Sequence, residues 1–597
     1  MTRGAQVVFA LLVLVTGGAF FATQRLKQSP RLVRTLTVTS AVSPHVPHRR
    51  ASIRIRLERP DRATVAIVDS EGEAVRELLR DASLDNDRRV QLLWNGRDDR
   101  GRAVPDGEYR VRVGLRRRGR SVVLLNTIRV DGTPPRPVVR VLRAGRAAGP
   151  LLFPQRGGAP VRFEVRGARP PTERLFLYRT DGAHPRFVTR LPDRRSPTEP
   201  GRWDGRIAGR LAPAGPYAIV ARDVDSVGNR GTSLPAAAGP GERPTRGPRS
   251  LGGVTVRYLA TQPPQVPVVA GRPFTVFVDA RGRGYRWFLR RLGQRRLVAR
   301  GSGRRPALQL RAPRGPSGVY LVELISGRDR SAAPVAVQGP GRHGVLLVLP
   351  VLSWQARNAV DDDGDGLPDT IERGRRARVA RPLAGGGIPT GFATAEQPLL
   401  QLLDRPQQRY DITTDLALNE PAGRAAIERH RGVVLAGNAR WLTPPLRGRL
   451  QRYIGRGGRV FSLGTDSLRR TARLRDGVLA DPIGPDEEDV FGATLAPIER
   501  RRVDLLVADD ALGLFRGGDG LFNGFGAFEA TLAPGPGAQV ASTAIVQGSA
   551  TADPVIVATR HGRGLVIRTG LPEWGLRMRG NPNVRELTKR AWALLSR

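Results

Sequence analysis

Residues 94–113, WNGRDDRGRAVPDGEYRVRV, and residues 203–221, WDGRIAGRLAPAGPYAIVA, are two copies of one pattern. Each runs from a tryptophan through Asn or Asp, Gly and Arg to a Pro-x-Gly-x-Tyr turn and then into an apolar stretch. The tryptophan-to-tyrosine spacing is 15 in one copy and 14 in the other. Pro and Gly set a turn, and the tyrosine opens the next strand with its ring on the core face and its hydroxyl free to bond the preceding loop. A weaker third copy, Pro316-Ser317-Gly318-Val319-Tyr320, enters Leu321-Val322-Glu323-Leu324. The tyrosines recur after 108 and then 103 residues, the length of one β-sandwich domain. Three tandem β-sandwich modules are expected, over residues 33–133, 137–235 and 251–338.

Outward from the repeat, Thr35–Thr39 and Ala51–Leu57 alternate apolar with polar residues, as half-buried strands do. Gly132–Pro137, residues 236–250 and Gln338–Gly341 are rich in Pro and Gly and read as linkers. The shared pattern resembles the immunoglobulin-like module of the flagellar hook-capping protein family. That resemblance implies a sandwich and carries no ligand. The tryptophans and tyrosines are read as core.

Beyond residue 343 the grammar changes. Val345–Leu349 and Val433–Ala436 are continuous apolar runs of the kind found in strands buried on both faces. Residues 425–429 and 446–454 have helical spacing, and Gly457–Leu463 returns to strand. The alternation predicts an α/β domain with a mainly parallel sheet over 343–597. Val555–Ala558 with Gly564–Arg568 predicts a hairpin, and Val584–Leu595 a closing helix.

Residues 361–372, DDDGDGLPDTIE, place oxygen-bearing side chains at positions 1, 3, 5, 9 and 12 as Asp361, Asp363, Asp365, Asp369 and Glu372, with Gly366 at position 6. This matches a calcium loop in which Leu367 lends its backbone carbonyl. Six carboxylates in twelve residues repel one another without a cation. The competing reading is a solvated acidic loop. The run D-G-D-G-L-P-D looks like the calcium loops of thrombospondin-type repeats, which implies a free-standing stabilising site.

Val348–Asn358 with its W-Q-A-x-N segment, Tyr410–Asp415, Val433–Trp441 and Gly457-Gly458 together resemble the C-terminal domain of the N,N-dimethylformamidase large subunit, over about residues 343–597. The resemblance implies an amidotransferase-like α/β fold and amide hydrolysis by a mononuclear iron held by tyrosines and a glutamate. Members usually read W-Q-A-Y-N and G-H-x-E-Y-W, so Arg357 falls on the tyrosine, and Asn438 and Arg440 fall on the histidine and glutamate. A guanidinium stays protonated and offers donors only, so it cannot ligate iron. Calcium is therefore the expected cofactor and iron is not. Tyr410, Tyr453 and Glu573 are conceivable ligands without supporting spacing.

Composition narrows the remaining chemistry. The chain has 597 residues and no cysteine, which excludes disulfides, a thiolate nucleophile and thiolate-bound metals. G-x-S-x-G and H-E-x-x-H are absent. His343, His430 and His561 are read as surface or loop residues, and Gly385-Gly386-Gly387 lacks the Lys-Ser or Lys-Thr of a phosphate loop. The Asp486–Asp489 run reads as a solvated loop. Lys plus Arg exceeds Asp plus Glu by 44, yet Lys27 and Lys589 are the only lysines. Scattered arginine of this kind fits a GC-rich genome, and no nucleic-acid module accompanies it, so nucleic acid is not the expected partner.

Gly4–Thr23 is twenty residues without a charge, long enough to cross a bilayer once. It is expected as a transmembrane anchor with the body outside the cytoplasm. A signal peptide cut after Ala19 is the competing reading. The expectation is a membrane-anchored, extracytoplasmic binding or scaffolding protein of the bacterial cell envelope, attached to the membrane through residues 4–23 and facing anionic envelope polymers. The alternative is a metal-dependent hydrolase of an amide or related bond.

Overall fold

The computed structural model describes residues 12–17, 32–87, 89–142, 152–153, 160–168, 170–237, 242–244, 252–404 and 408–597. Three β-sandwiches follow one another. In the first, a three-stranded sheet of Val33–Val38, Ala51–Leu57 and Val90–Trp94 faces a five-stranded sheet built around Gly107–Leu115. Ala51–Leu57 buries every second residue, so alternation in the sequence becomes one face against a core of Ile53, Ile55, Val111 and Val113. The second sandwich centres on Gly215–Val224 and the third on Gly318–Ser326.

The repeated motif forms the same corner twice. Tyr109 donates its hydroxyl to the Pro105 carbonyl at 2.9 Å, and Tyr217 donates to Pro213 at 2.9 Å. Trp94 Nε1 bonds the Arg97 carbonyl and Trp203 Nε1 that of Arg206, at 2.9 and 3.0 Å. The ring centroids of the Trp–Tyr pairs stand 5.3 and 5.5 Å apart. Gly96 turns the chain at φ 71°, and a Cβ there would meet Pro44 at 3.3 Å, which is why the motif requires glycine. In the third sandwich no tryptophan accompanies Tyr320. The Arg291 guanidinium lies 5.6 Å from its ring, as Arg179 lies 5.7 Å from that of Tyr217, so this part of the corner is shared by the second and third modules. The first and third sandwiches nevertheless share a device: a two-residue strand (Ala41–Val42, Val268–Val269) pairs in parallel with the last strand of the module.

The C-terminal domain is built on a nine-stranded sheet. In chain order its strands are β1 (Val345–Leu349), β2 (Asp411–Thr414), β3 (Gly432–Leu435), β4 (Arg459–Ser462), β5 (Val503–Asp510), β6 (Leu521–Phe525), β7 (Ala538–Val546), β8 (Pro554–His561) and β9 (Gly564–Arg568). The spatial order is β2-β1-β3-β4-β9-β8-β7-β5-β6. Strands β2, β1, β3, β4 and β9 are mutually parallel. The other half is antiparallel. Smaller sheets of four and two strands flank it.

The expectation of a mainly parallel α/β domain is thus corrected to a β-rich domain on a mixed sheet. The cause is local: β7, β8 and β9 succeed one another through short turns, where a parallel partner would have required a crossover helix. The helices are few and short, the longest being Pro444–Gly455 and Pro582–Ser596. The β8–β9 hairpin and the closing helix stand where the sequence places them.

The stretch 4–23 lies outside the described residues except for 12–17, which are helical. Among the described residues no helix is long and apolar enough to cross a membrane. This finding overturns the single-pass anchor, the membrane attachment and the membrane localisation expected from the sequence. The linker over 236–250 also falls largely outside the described residues.

If the Trp–Tyr corner holds each sandwich, Trp203→Ala should destabilise the second module by about 3–5 kcal/mol and Tyr217→Phe by about 1 kcal/mol. Amide hydrogen exchange should quicken in strand 215–224 while strand 107–115 keeps its wild-type rates.

Candidate functional site

Strand order locates the site. The chain leaves β1 towards β2 on one side, whereas β3 leads to β4 on the other. Their carboxyl ends therefore part at a topological switch point, where open sheets place ligand crevices. The segment after β1 is helix α1 (Val351–Ala356), and the segment after β3 is Ala436–Arg440. These are the two segments that carry the family-like motifs. They touch: the Trp441 amide donates to Ser353 Oγ at 3.0 Å.

Helix α1 has no side-chain cap of its own. Asp415, just beyond β2, accepts the Leu352 amide at 2.9 Å. Burial pushes its carboxyl up to about 8 despite the backbone amides around it, and its Oδ2 has no partner. The polar residues of the W-Q-A-R-N segment are wired into structure. Asn358 donates to Gln355 Oε1 at 2.9 Å and to the Pro382 carbonyl at 2.9 Å. The buried Arg381 guanidinium binds the carbonyls of Gln355, Asn358 and Asp369 at 2.8, 3.1 and 2.9 Å and Asp362 Oδ2 at 2.7 Å.

Arg357 and Arg440 converge. Arg440 Nη1 lies 2.6 Å from Glu372 Oε1, and Arg357 Nε lies 3.5 Å from the same oxygen. Arg440 Nη2 also reaches Asp466 Oδ2 at 2.5 Å, which Arg470 Nη2 approaches to 2.8 Å. The Arg470 guanidinium lies over the Trp441 ring, 5.7 Å from its centroid. Asn438 Oδ1 accepts Ser467 Oγ at 2.7 Å. Asp466 holds φ at 49°, and its amide donates to Glu529 Oε1 at 2.8 Å. Burial pushes Glu529 up to about 7, with Arg469 opposing. Three side chains at the family's ligand positions are thus two donors-only guanidiniums and an amide already engaged. They do not fit an iron centre.

Glu396 is the acid in this region that the sequence gives no spacing to find. It is buried beside the turn after β3, where a Cβ on Gly437 would lie 1.9 Å from its Oε1. Trp354 Nε1 donates to that oxygen at 3.4 Å, and Oε2 has no partner. Burial pushes the carboxyl up to about 7.

The acidic loop lies alongside. Asp361, Asp363 and Asp369 each present a carboxylate oxygen within 4.8 Å of the others. Asp361 accepts the Gly364 and Gly366 amides at 2.7 and 2.9 Å and is pushed up to about 8, by burial first. Burial also raises Asp365 and Asp369. Arg375 meets Asp363, Asp365 and Asp369 at 3.2, 2.5 and 3.0 Å. Glu372, twelfth in the loop, faces Arg440 and Arg357 instead. The Leu367 side chain packs towards the second sandwich, among Tyr178, Ala218, Val220 and Leu234. A Cβ on Gly253 would sit 2.2 Å from the Gly364 carbonyl oxygen, so the loop backbone rests directly on a sandwich strand.

The other sequence candidates are scattered. Tyr410 bonds Asp404 near the third sandwich, Tyr453 donates to the His430 carbonyl at the opposite ends of the strands, and Glu573 accepts the Gly526 amide. Gly387 packs on the Ala332 carbonyl, a structural contact. Asp489 is buried and paired with Arg568 at 2.5 Å, unlike the solvated loop read from the sequence.

Residues 305–483 match the family described as N,N-dimethylformamidase beta subunit-like, C-terminal. The match covers under a third of the chain, starts inside the third sandwich and stops well before residue 597. No curated protein matches the chain. Among solved structures, a cold-adapted β-galactosidase from Rahnella sp. R3 shares 12% identity over 43% of this chain and 32% of its own, with a TM-score of 0.25. The mmIFT52 N-terminal domain shares 11% identity over 34% of this chain and 91% of its own, with a TM-score of 0.24. Fibronectin(III)-like modules of Clostridium thermocellum CbhA share 12% over 33% and 88%, with a TM-score of 0.16. The chain spans about a third of that β-galactosidase, and overlaps this loose transfer no activity.

Glu396 sets a pH signature. The folded carboxyl titrates near 7 against 4.5 for the ordinary group, so between these values the fold holds more protons than the unfolded chain. Its stabilising effect is complete below about 4.5 and is lost as pH rises through about 7. Glu396→Gln should therefore melt at the wild-type temperature near pH 5 and above it at pH 8. A difference constant with pH would refute the assignment.

Proposed function

We propose that this chain is a multi-module binding protein whose dimethylformamidase-like region retains that family's framework without its iron chemistry. The observation that carries the reading is the meeting of Arg357 and Arg440 on one oxygen of Glu372. Two fixed positive charges stand where the resemblance calls for metal-holding oxygens. An iron ion entering there would have to displace a permanent cation.

Calcium belongs to the same reading. Asp361, Asp363 and Asp369 would supply its oxygens, and the Arg375 guanidinium that now meets Asp363, Asp365 and Asp369 would give way to it. Burial and neighbouring carboxylates raise Asp361, Asp365 and Asp369, and a cation among them would favour their charged forms. A bound calcium would tighten the loop against the second sandwich and supply no reaction step.

One observation favours a hydrolase as the second reading. Glu396 has a free oxygen and titrates near neutrality, the range of a general acid or base. Turnover of a simple carboxamide, abolished in Glu396→Gln, would establish it.

Metal analysis of the full chain should find calcium and neither iron nor zinc, and N,N-dimethylformamide should not be turned over. Calcium at a hundred times its Kd should stabilise the chain by about 2.7 kcal/mol, seen as a rise in Tm that Asp363→Ala removes. Stoichiometric iron would overturn the first reading, and an unchanged Tm would remove calcium from it.

A further inference from the structure

A cleft of about 310 Å³ opens between the third sandwich and the edge strand β2, well away from the switch point. That volume lies at the lower end of the range for small-molecule sites, which concentrate at domain junctions. Its floor is apolar: Leu346 and Ile412 are each 2% exposed. Val269 of the sandwich, 57% exposed, forms a wall.

The polar lining is unequal in charge. His430 faces two acceptors, with Nδ1 2.5 Å from the Ala426 carbonyl and Nε2 2.9 Å from Asp411 Oδ2. His430 and Asp411 therefore engage one another through that oxygen. Gln338 fixes Asp411 from the sandwich side, donating to Oδ1 at 3.1 Å and accepting the Ile412 amide at 2.8 Å. What remains is Arg342 and Arg429, both exposed at the mouth, and neither has an acidic partner among the described residues. The cleft thus joins an apolar floor to two uncompensated positive charges.

We infer that this cleft binds a small apolar monocarboxylate, its hydrocarbon body on Leu346, Ile412 and Val269 and its carboxylate between Arg342 and Arg429. A guanidinium fork matches a carboxylate in two-point geometry. The apolar floor selects against inorganic anions, which gain nothing from it.

Isothermal titration of the full chain with benzoate and with benzamide, its uncharged counterpart, tests the inference. Benzoate should bind saturably and at least tenfold more tightly than benzamide. The double variant Arg342→Gln, Arg429→Gln should weaken benzoate tenfold or more and leave benzamide unchanged. Val269→Trp should abolish binding of both by filling the cleft. These three positions are exposed, so an unchanged Tm verifies that the variants fold. Equal binding of the two probes, wild-type affinity in the double variant, or absence of saturable benzoate binding would each overturn it.

Discussion

Carboxylates taken out of water are costly unless they are paired or protonated, and in the C-terminal domain arginine pairs with buried Asp365, Asp369, Asp466, Asp489 and Glu529. Arg381 is the central instance: one guanidinium ties the turn after α1, through the Gln355 and Asn358 carbonyls, to the acidic loop, through Asp362 and the Asp369 carbonyl. Removing one partner of such a buried pair typically costs about 3–5 kcal/mol, a large share of a domain's stability of about 5–15 kcal/mol. The turn after α1 and the acidic loop are positioned by this contact, and the approach of Arg357 to Glu372 depends on that positioning. Arg375, Arg469 and Arg568 repeat the device on Asp365, Glu529 and Asp489. The strong arginine excess is thus partly structural, whatever its origin in the genome.

What the sequence made legible was local. The Trp–Tyr corner was readable because its partners lie within fifteen residues and its turn chemistry permits few alternatives. The parallel half of the large sheet was readable as continuous apolar runs. In the antiparallel half the β8–β9 hairpin was readable, but β5, VDLLVADD, was not, because it buries only alternate residues at its start and then turns polar, which resembles a loop as much as a strand. Its place in the sheet comes from β7 and β6 on either side. The anchor was read from hydropathy over twenty residues, which reports only that a helix could span, and among the described residues no helix is long and apolar enough to do so.

At the site, spacing singles out the acidic loop, and in the structure its twelfth residue, Glu372, faces Arg440 and Arg357. Position 12 of a calcium loop is a statement about reach along the chain, but Glu372 is decided by Arg440, sixty-eight residues away. The same limit hid Glu396, Asp415 and Glu529. Each is unexceptional in sequence and acquires its chemistry from burial by strands far removed along the chain. The motif residues Gln355 and Asn358 hold the backbone.

The acidic loop rests on the second sandwich, not on the third that precedes it in the chain. Arg373 bonds the Thr180 carbonyl at 3.3 Å, and Leu367 enters the small apolar cluster around Tyr178. The third sandwich is joined to the last domain separately, through Arg291 with Asp404 and Gln338 with Asp411. The polypeptide therefore closes a ring of contacts across three units. A protease nick between Gln338 and His343 would leave both pieces clasped together, because tension between them is carried by side chains as well as by the peptide thread.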